Sequence, residues 1–231
     1  MALAVGLAAS VAACDSGGKP SADGQLASER GARLLVTTDN GLRLRPTDGD
    51  RVTVDRRVGH HWSHHDRTRV LDLSCKRRCP RMPEVDVPSG TAVTVVARNA
   101  GVDAAGVSGA LDLSTVNGDV TVANSGDAET KLRLATRNGS MRATGLRAAA
   151  LDATTVNGDV TLSCATAPRR VAATTTNGSV DTVLPHGSPA YRTTATTDNG
   201  RPTVAVATHG APEDRTLRLT SVNGDVRVRT G

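Results

Sequence analysis

Phenylalanine is absent from this 231-residue chain, which holds one Trp (Trp62) and one Tyr (Tyr191). A globular domain of this size normally fills its centre with aromatics, each burying about 150–250 Å². Their shortage excludes a thick core and calls for a narrow interior of Val, Leu, Ala and Thr. It also removes the aromatic platforms on which bases stack, so nucleic acid is not expected as a partner despite a formal net charge of +5. Polysaccharide lyases and hydrolases need clustered acids, a base and usually aromatic sugar platforms; the platforms are missing, and no Gly-x-Ser-x-Gly elbow occurs. Cysteine is sparse at four residues. No apolar run reaches the roughly 20 residues that a membrane-spanning helix needs.

The one sustained apolar run, Ala2 to Ala13, suits the core of a signal peptide and ends in Val11-Ala12-Ala13-Cys14. Small residues before a cysteine resemble the lipobox of bacterial lipoproteins. That resemblance implies cleavage after residue 13 and acylation of Cys14, hence a membrane partner through a lipid anchor and a place on the outer, extracytoplasmic face of the cell membrane. No Lys or Arg follows Met1, so the positive n-region of a signal peptide is missing. Residues 14–31 are rich in Ser, Gly, Asp and Ala and read as a flexible tether. The remainder divides into an N-terminal β cap, 32–91, and a repeat region, 92–231.

The repeats carry most of the information. Leu111 to Val122 reads LDLSTVNGDVTV, Leu151 to Leu162 LDATTVNGDVTL, and Leu217 to Val228 LRLTSVNGDVRV, with degenerate copies between them. Asn-Gly pairs fall at Asn117-Gly118, Asn138-Gly139, Asn157-Gly158, Asn177-Gly178, Asn199-Gly200 and Asn223-Gly224, in steps of 21, 19, 20, 22 and 24. A fainter copy sets Asn99 18 residues before Asn117. Within a copy, Leu111, Leu113 and Thr115 share one parity while Asp112 and Ser114 take the other, which is the period of a strand with one buried face. Asn-Gly tolerates positive φ and marks the corner.

Asn-Gly also signals antiparallel hairpins. Whole-unit repetition, which lets like side chains stack on like, favours instead an all-β, single-stranded parallel β-helix (β-solenoid) of about seven coils with an N-terminal hairpin-like cap. The runs Val52 to Val58 and Arg69 to Leu73 are the expected hairpin. Arg227 and Arg229, on the last strand, are expected to guard an exposed edge.

The lipobox, the hairpin-like lead-in, the Val-x-Val-Pro-x-Gly segment at Val85 to Gly90 and the Asn-Gly-Asp-Val copies together resemble a domain family of unknown function, the inferred adhesins common among actinobacterial lipoproteins. The resemblance covers about Leu34 to Thr230. It is similar to autotransporter-adhesin head domains, which implies a β-helix and brings no catalytic residues.

Three further groups are candidates for chemistry. His60, His61, His64 and His65 lie beside Asp66, and imidazole clusters can take zinc, copper or nickel. Cys75 and Cys79 are spaced for a local disulfide, in keeping with oxidation outside the membrane; a Cys79 to Cys164 bridge is the alternative, while Cys164 otherwise falls on the inward parity as a buried free thiol. Asp119, Asp159 and Asp225 follow three of the corners, but Ser140, Ser179 and Arg201 hold the same place in the others. The asparagines are expected to form a hydrogen-bonded stack.

The reading is a non-enzymatic, membrane-anchored surface lipoprotein acting as a structural or adhesive scaffold, with no catalytic residue and no cofactor, facing a cell-wall polymer or surface protein. The alternatives are a polysaccharide-active β-helix enzyme and a metal-binding envelope protein using the His60 to His65 segment.

Overall fold

The computed structural model describes residues 33–74 and 80–231, and every regular element among them is a β-strand. Alternating apolar and polar residues give the N-terminal strands β1 (Arg33–Thr38), β2 (Leu42–Thr47), β3 (Thr53–Val54), β4 (Gly59–His65), β5 (Thr68–Ser74) and β6 (Glu84–Pro88). The middle comprises β7 (Ala92–Ala97), β8 (Val102–Ala105), β9 (Leu111–Ser114), β10 (Val120–Ala123), β11 (Gly126–Ala135) and β12 (Met141–Thr154). Then come β13 (Val160–Cys164), β14 (Arg170–Thr174), β15 (Val180–Leu184), β16 (Arg192–Asn199), β17 (Pro202–Ala205), β18 (Thr216–Asn223) and β19 (Val226–Thr230).

Each copy contributes one strand to each of two walls. The first wall runs β4, β5, β1, β7, β9, β11, the second half of β12, β14, β18, β16. The second runs β3, β6, β2, β8, β10, the first half of β12, β13, β15, β19, β17. Registers match like with like: Leu132 pairs with Leu111 and Leu151, and Val160 with Met141 and Val180. The core is the single narrow file between the walls, where Leu113, Val120, Leu134, Ala143, Leu162, Ala173, Leu219 and Val226 are almost wholly buried. Each large aliphatic buried there is worth about 1.5–3 kcal/mol before chain entropy is subtracted.

Antiparallel pairing, expected of the N-terminal cap, is made by β3 with β6 and by β4 with β5. Three expectations are corrected. The partner of Arg69 to Leu73 is the histidine strand β4, not Val52 to Val58, because His65, Asp66, Arg67 and Thr68 make a tight turn in which Asp66 takes φ 52°. Parallel stacking also extends beyond the seven recognised copies, taking in β1–β2 and β5–β6, with Thr37 to Gly41 as the corner between β1 and β2.

Finally, rungs do not stack in chain order at either end. The β1–β2 rung lies between β5–β6 and β7–β8, and the last rung, β18–β19, lies between β14–β15 and β16–β17. Arg227 and Arg229 therefore sit on an internal strand, and the edge belongs to β16 and β17. Hydrophobic content accounts for the inversion. Leu217, Leu219, Val226 and Val228 are buried only if covered from both sides, whereas β16 and β17 offer mainly Thr and Ala and are left exposed.

Candidate functional site

The corner edge, where the repeat is strongest, is built from three columns of polar side chains. In the first, Thr136, Thr155 and Thr175 donate their hydroxyls to the carbonyls of Gly118, Gly139 and Gly158 one rung back, at 2.8–3.0 Å. Ser221 donates to Gly178 and Thr197 to Gly224, each at 2.8 Å. These hydroxyls sit on the inward parity, and each finds the acceptor that a buried polar group requires.

The second column is a continuous amide ladder. Each Nδ2 donates to the Oδ1 of the preceding rung, in the order Asn117 to Asn99, Asn138 to Asn117, Asn157 to Asn138, Asn177 to Asn157, Asn223 to Asn177 and Asn199 to Asn223, at 2.8–3.1 Å. The inverted order of the last two rungs is written directly into these bonds. The glycine that follows serves packing. A Cβ on Gly139, Gly158, Gly178, Gly224 or Gly200 would lie 2.1–2.2 Å from the glycine carbonyl oxygen of the neighbouring rung. The asparagines themselves are not in the left-handed region, whereas Gly118, Gly158, Gly178 and Gly224 take φ of 145–156°, so glycine recurs at the corner for both close rung approach and backbone geometry.

The third column alternates in space: Asp119, Ser140, Asp159, Ser179, Asp225, Arg201. The backbone N–H of Ser140 donates to Asp119 Oδ1 at 2.8 Å and that of Ser179 to Asp159 Oδ1 at 2.8 Å. Asp159 N–H donates to Ser140 Oγ and Asp225 N–H to Ser179 Oγ, both at 3.2 Å, and Arg201 N–H closes the series on Asp225 at 3.0 Å. Alternation puts successive carboxylates two strand spacings, about 9.5 Å, apart, which relieves repulsion and leaves no pair able to share a calcium ion bound at about 2.4 Å.

The histidines lie on β4, the outermost strand of the N-terminal end. His60, Trp62 and His64 pair with Leu73, Leu71 and Arg69 and share their inward face, while His61 and His65 pair with Asp72 and Thr68 and face outward. Trp62 packs on the core and all four histidines are exposed. Among the described residues no three His, Cys, Asp or Glu side chains gather as metal ligands. Cys14, Cys75 and Cys79 lie outside the described residues. Cys164 is a free, buried thiol whose pKa burial pushes up to about 12, so it lacks the thiolate that nucleophilic chemistry needs.

Tyr191 is the structural tie that composition alone passes over. It is fully buried, its hydroxyl donates to the Pro168 carbonyl at 2.7 Å, and its own N–H donates to Ala207 at 2.9 Å. Burial raises its pKa, while the Arg215 guanidinium, 5.8 Å from the ring centre, acts in the opposite sense. Tyr191 thus pins together the loops before β16 and after β17, where the chain steps past one rung and returns. Its one signal in the sequence is its solitude: the lone tyrosine falls where the repeat spacing lengthens to 22 residues.

Among the described residues, two of the surface hollows have linings that bear on chemistry. One, about 320 Å³, is lined by Thr37, Thr38, Asp39, Leu73, Val96, Ala97 and Arg98. The other, about 300 Å³, includes Asp112 with Lys131 and Arg133. Neither brings two carboxylates together, so neither has the pair of acids used in glycoside hydrolysis.

These features define a β-solenoid whose polar side chains are largely spent on one another. Residues 91–230 match the Toastrack DUF4097 family; the chain belongs to that family. No curated protein matches the sequence. Two crystal structures are similar over most of their length. One is of a protein with an inferred cell-adhesion role from Clostridium sporogenes, at 9% identity and TM-score 0.36, covering 87% of this chain and 93% of that one. The other is of an inferred adhesin from Bacteroides fragilis, at 14% identity and TM-score 0.35, covering 90% and 95%. Likeness at that level adds nothing to what the strand pairing shows.

Proposed function

We propose that this protein is a surface lipoprotein, anchored through an acylated Cys14 to the extracytoplasmic face of the cell membrane, that acts as a structural or adhesive binding scaffold for a wall polymer or surface protein. The supporting observation is the register of the rungs. It repeats outward columns of Thr, Asp and Arg at strand spacing along two walls, while the corner groups satisfy one another. Such a surface is stiff and periodic, which suits repeated weak contacts with a polymer or another surface, and it needs no cofactor. A Cys75–Cys79 disulfide belongs to this reading, since an extracytoplasmic location is oxidising.

Metabolic labelling with a palmitate analogue tests the anchor. The native chain should carry label and fractionate with membranes, and Cys14→Ala should lose both; label on Cys14→Ala, or none on the native chain, refutes it. Capture from the native envelope with the anchored protein tests the scaffold role, with a wall polymer or surface protein as the expected catch and an unchanged background as the refuting result. Peptide mass mapping without reduction reads the disulfide.

A further inference from the structure

The two ends of the solenoid differ in a way that points to a partner. At the N-terminal end, antiparallel β3 and β4 cover the outermost parallel rung, with Val52 and Val58 buried and Val54 and Trp62 packed on the core. At the C-terminal end no antiparallel strand covers the last rung; β16 and β17, like β3 and β4 at the other end, each pair on one side only among the described residues.

The two open edges of the C-terminal rung are not equivalent. Arg192 donates its N–H to the Arg215 carbonyl, at 2.9 Å, on the β18 side. By the alternation of a parallel ladder, Thr193, Ala195 and Thr197 turn their N–H and C=O groups to the open edge. On β17, Val226 donates to the Arg201 carbonyl, so Pro202 occupies an outward place and removes a donor there, a usual block to strand addition. The β16 edge carries no such block.

We propose that β16 is a self-association edge whose partner is β16 of a second copy, paired antiparallel about a two-fold axis at Ala195. The sequence of the strand, RTTATTDN, supplies the complementarity. Pairing about Ala195 sets Thr193 opposite Thr197 and Ala195 opposite itself as hydrogen-bonded pairs. Arg192 then faces Asp198, and Thr194 faces Thr196, on the outer surface. Opposite charges and Thr–Thr pairs across antiparallel strands are favourable, and two-fold symmetry makes each contact twice. Arg192 and Asp198 are both exposed, and Arg192 pairs with the exposed Glu213, at 3.1 Å, in the single chain. One short strand per copy makes a small interface, so the dimer is weak and concentration-dependent.

The contact goes beyond the scaffold reading and does not depend on the anchor: association is read on purified full-length chain, the anchor by labelling. Sedimentation velocity from about 1 μM to about 1 mM covers the range of weak interfaces. The native chain should pass from monomer to dimer, with amide exchange at Thr193, Ala195 and Thr197 slowing as the dimer forms. Arg192→Asp alone and Asp198→Arg alone each set like charges against one another twice and should weaken association at least tenfold, with thermal unfolding showing both still folded. An equimolar mixture of the two variants restores opposite charges in both contacts and should recover the dimer. A native chain that stays monomeric throughout, single variants that associate like the native chain, or a mixture no better than its components overturns the proposal.

Discussion

The rungs β18–β19 and β16–β17 carry the same corner motif and lie side by side, yet one is a core element and the other a margin. In the first, Leu217, Leu219, Val226 and Val228 are buried; in the second, Val204 is 43% exposed and every residue of β17 is open. The motif marks both as rungs, and aliphatic content decides where in the stack each belongs. The chain lays down its poorer copy first, leaves a gap, and closes on its richer one. The N-terminal end follows the same rule, since the aliphatic rung β1–β2 is overlaid by a later one and the outermost rung receives an antiparallel cover.

The sharpest break of this comparison is aliphatic truncation. Leu219→Ala, at a site with no exposure, should cost about 2–5 kcal/mol through lost transfer energy and a residual cavity. Val204→Ala should stay within about 0.5 kcal/mol, as surface changes do. Urea unfolding of both variants reads the difference. Equal losses would mean that the stacking order is wrong.

Glycine gives the next contrast. A Cβ on Gly158 meets the Gly139 carbonyl at 2.2 Å, and one on Gly200 meets the Gly224 carbonyl at 2.1 Å, so the local clash is the same, and Gly158 alone of the two adds a positive φ of 146°. Gly158 is held between rungs on both sides, while the Gly200 rung can lift away. Gly158→Ala should therefore destabilise by about 2–3 kcal/mol, the cost of overpacking, and Gly200→Ala by less than about 1 kcal/mol. Thermal unfolding separates them by several degrees, since about 1 kcal/mol moves the midpoint of a chain this size by roughly 2–4 °C.

These contrasts show what was legible beforehand. Strand periodicity and the like-on-like register are local and repeated, so Leu111, Val120 and Thr136 announce their faces in any one copy. Stacking order is non-local. Its only trace is the longer spacing of 22 and 24 residues around Asn199, which provides the loops that Tyr191 ties together, and spacing does not say which copy lies outside. The Asp–Ser alternation looks broken when read along the chain, because Arg201 precedes Asp225. It becomes regular once the rungs are placed in space. The hairpin departs from expectation for a similar reason: alternation in Val52 to Val58 is genuine, but only Thr53–Val54 pairs, and it pairs with β6.

The amide ladder should show an end effect of its own. Asn157 donates to Asn138 and accepts from Asn177, whereas Asn199 donates to Asn223 at the end of the series. At about 0.5–1.5 kcal/mol per bond, and toward the lower end for exposed amides, Asn157→Ala should lose about 1–2 kcal/mol and Asn199→Ala about half of that. A double-mutant cycle between Asn157 and Asn177 should give a coupling of at least about 0.5 kcal/mol; simple additivity would mean the ladder is geometry without energy.

The smallest effect at neutral pH concerns the closed interior against the open edge. Cys164 is buried beneath the rungs, and its thiol is held protonated up to about pH 12 against 9.0 for the free group. Because the folded chain resists ionisation, its contribution to stability is complete below about pH 9 and drains away between 9 and 12, where the unfolded chain ionises first. Replacing it, Cys164→Ala, should flatten the decline in urea stability measured between those values. Tyr191, also raised by burial, leaves a residual slope at the upper end. Native-state alkylation extends the contrast, read peptide by peptide: at pH 8 Cys164 should react only as fast as the rungs open, whereas a thiol introduced by Val204→Cys should react at the rate of a free one. Rapid labelling of Cys164 in the folded chain would mean that the interior is open along its length, and the difference between the sandwiched rungs and the marginal one would lose its physical basis.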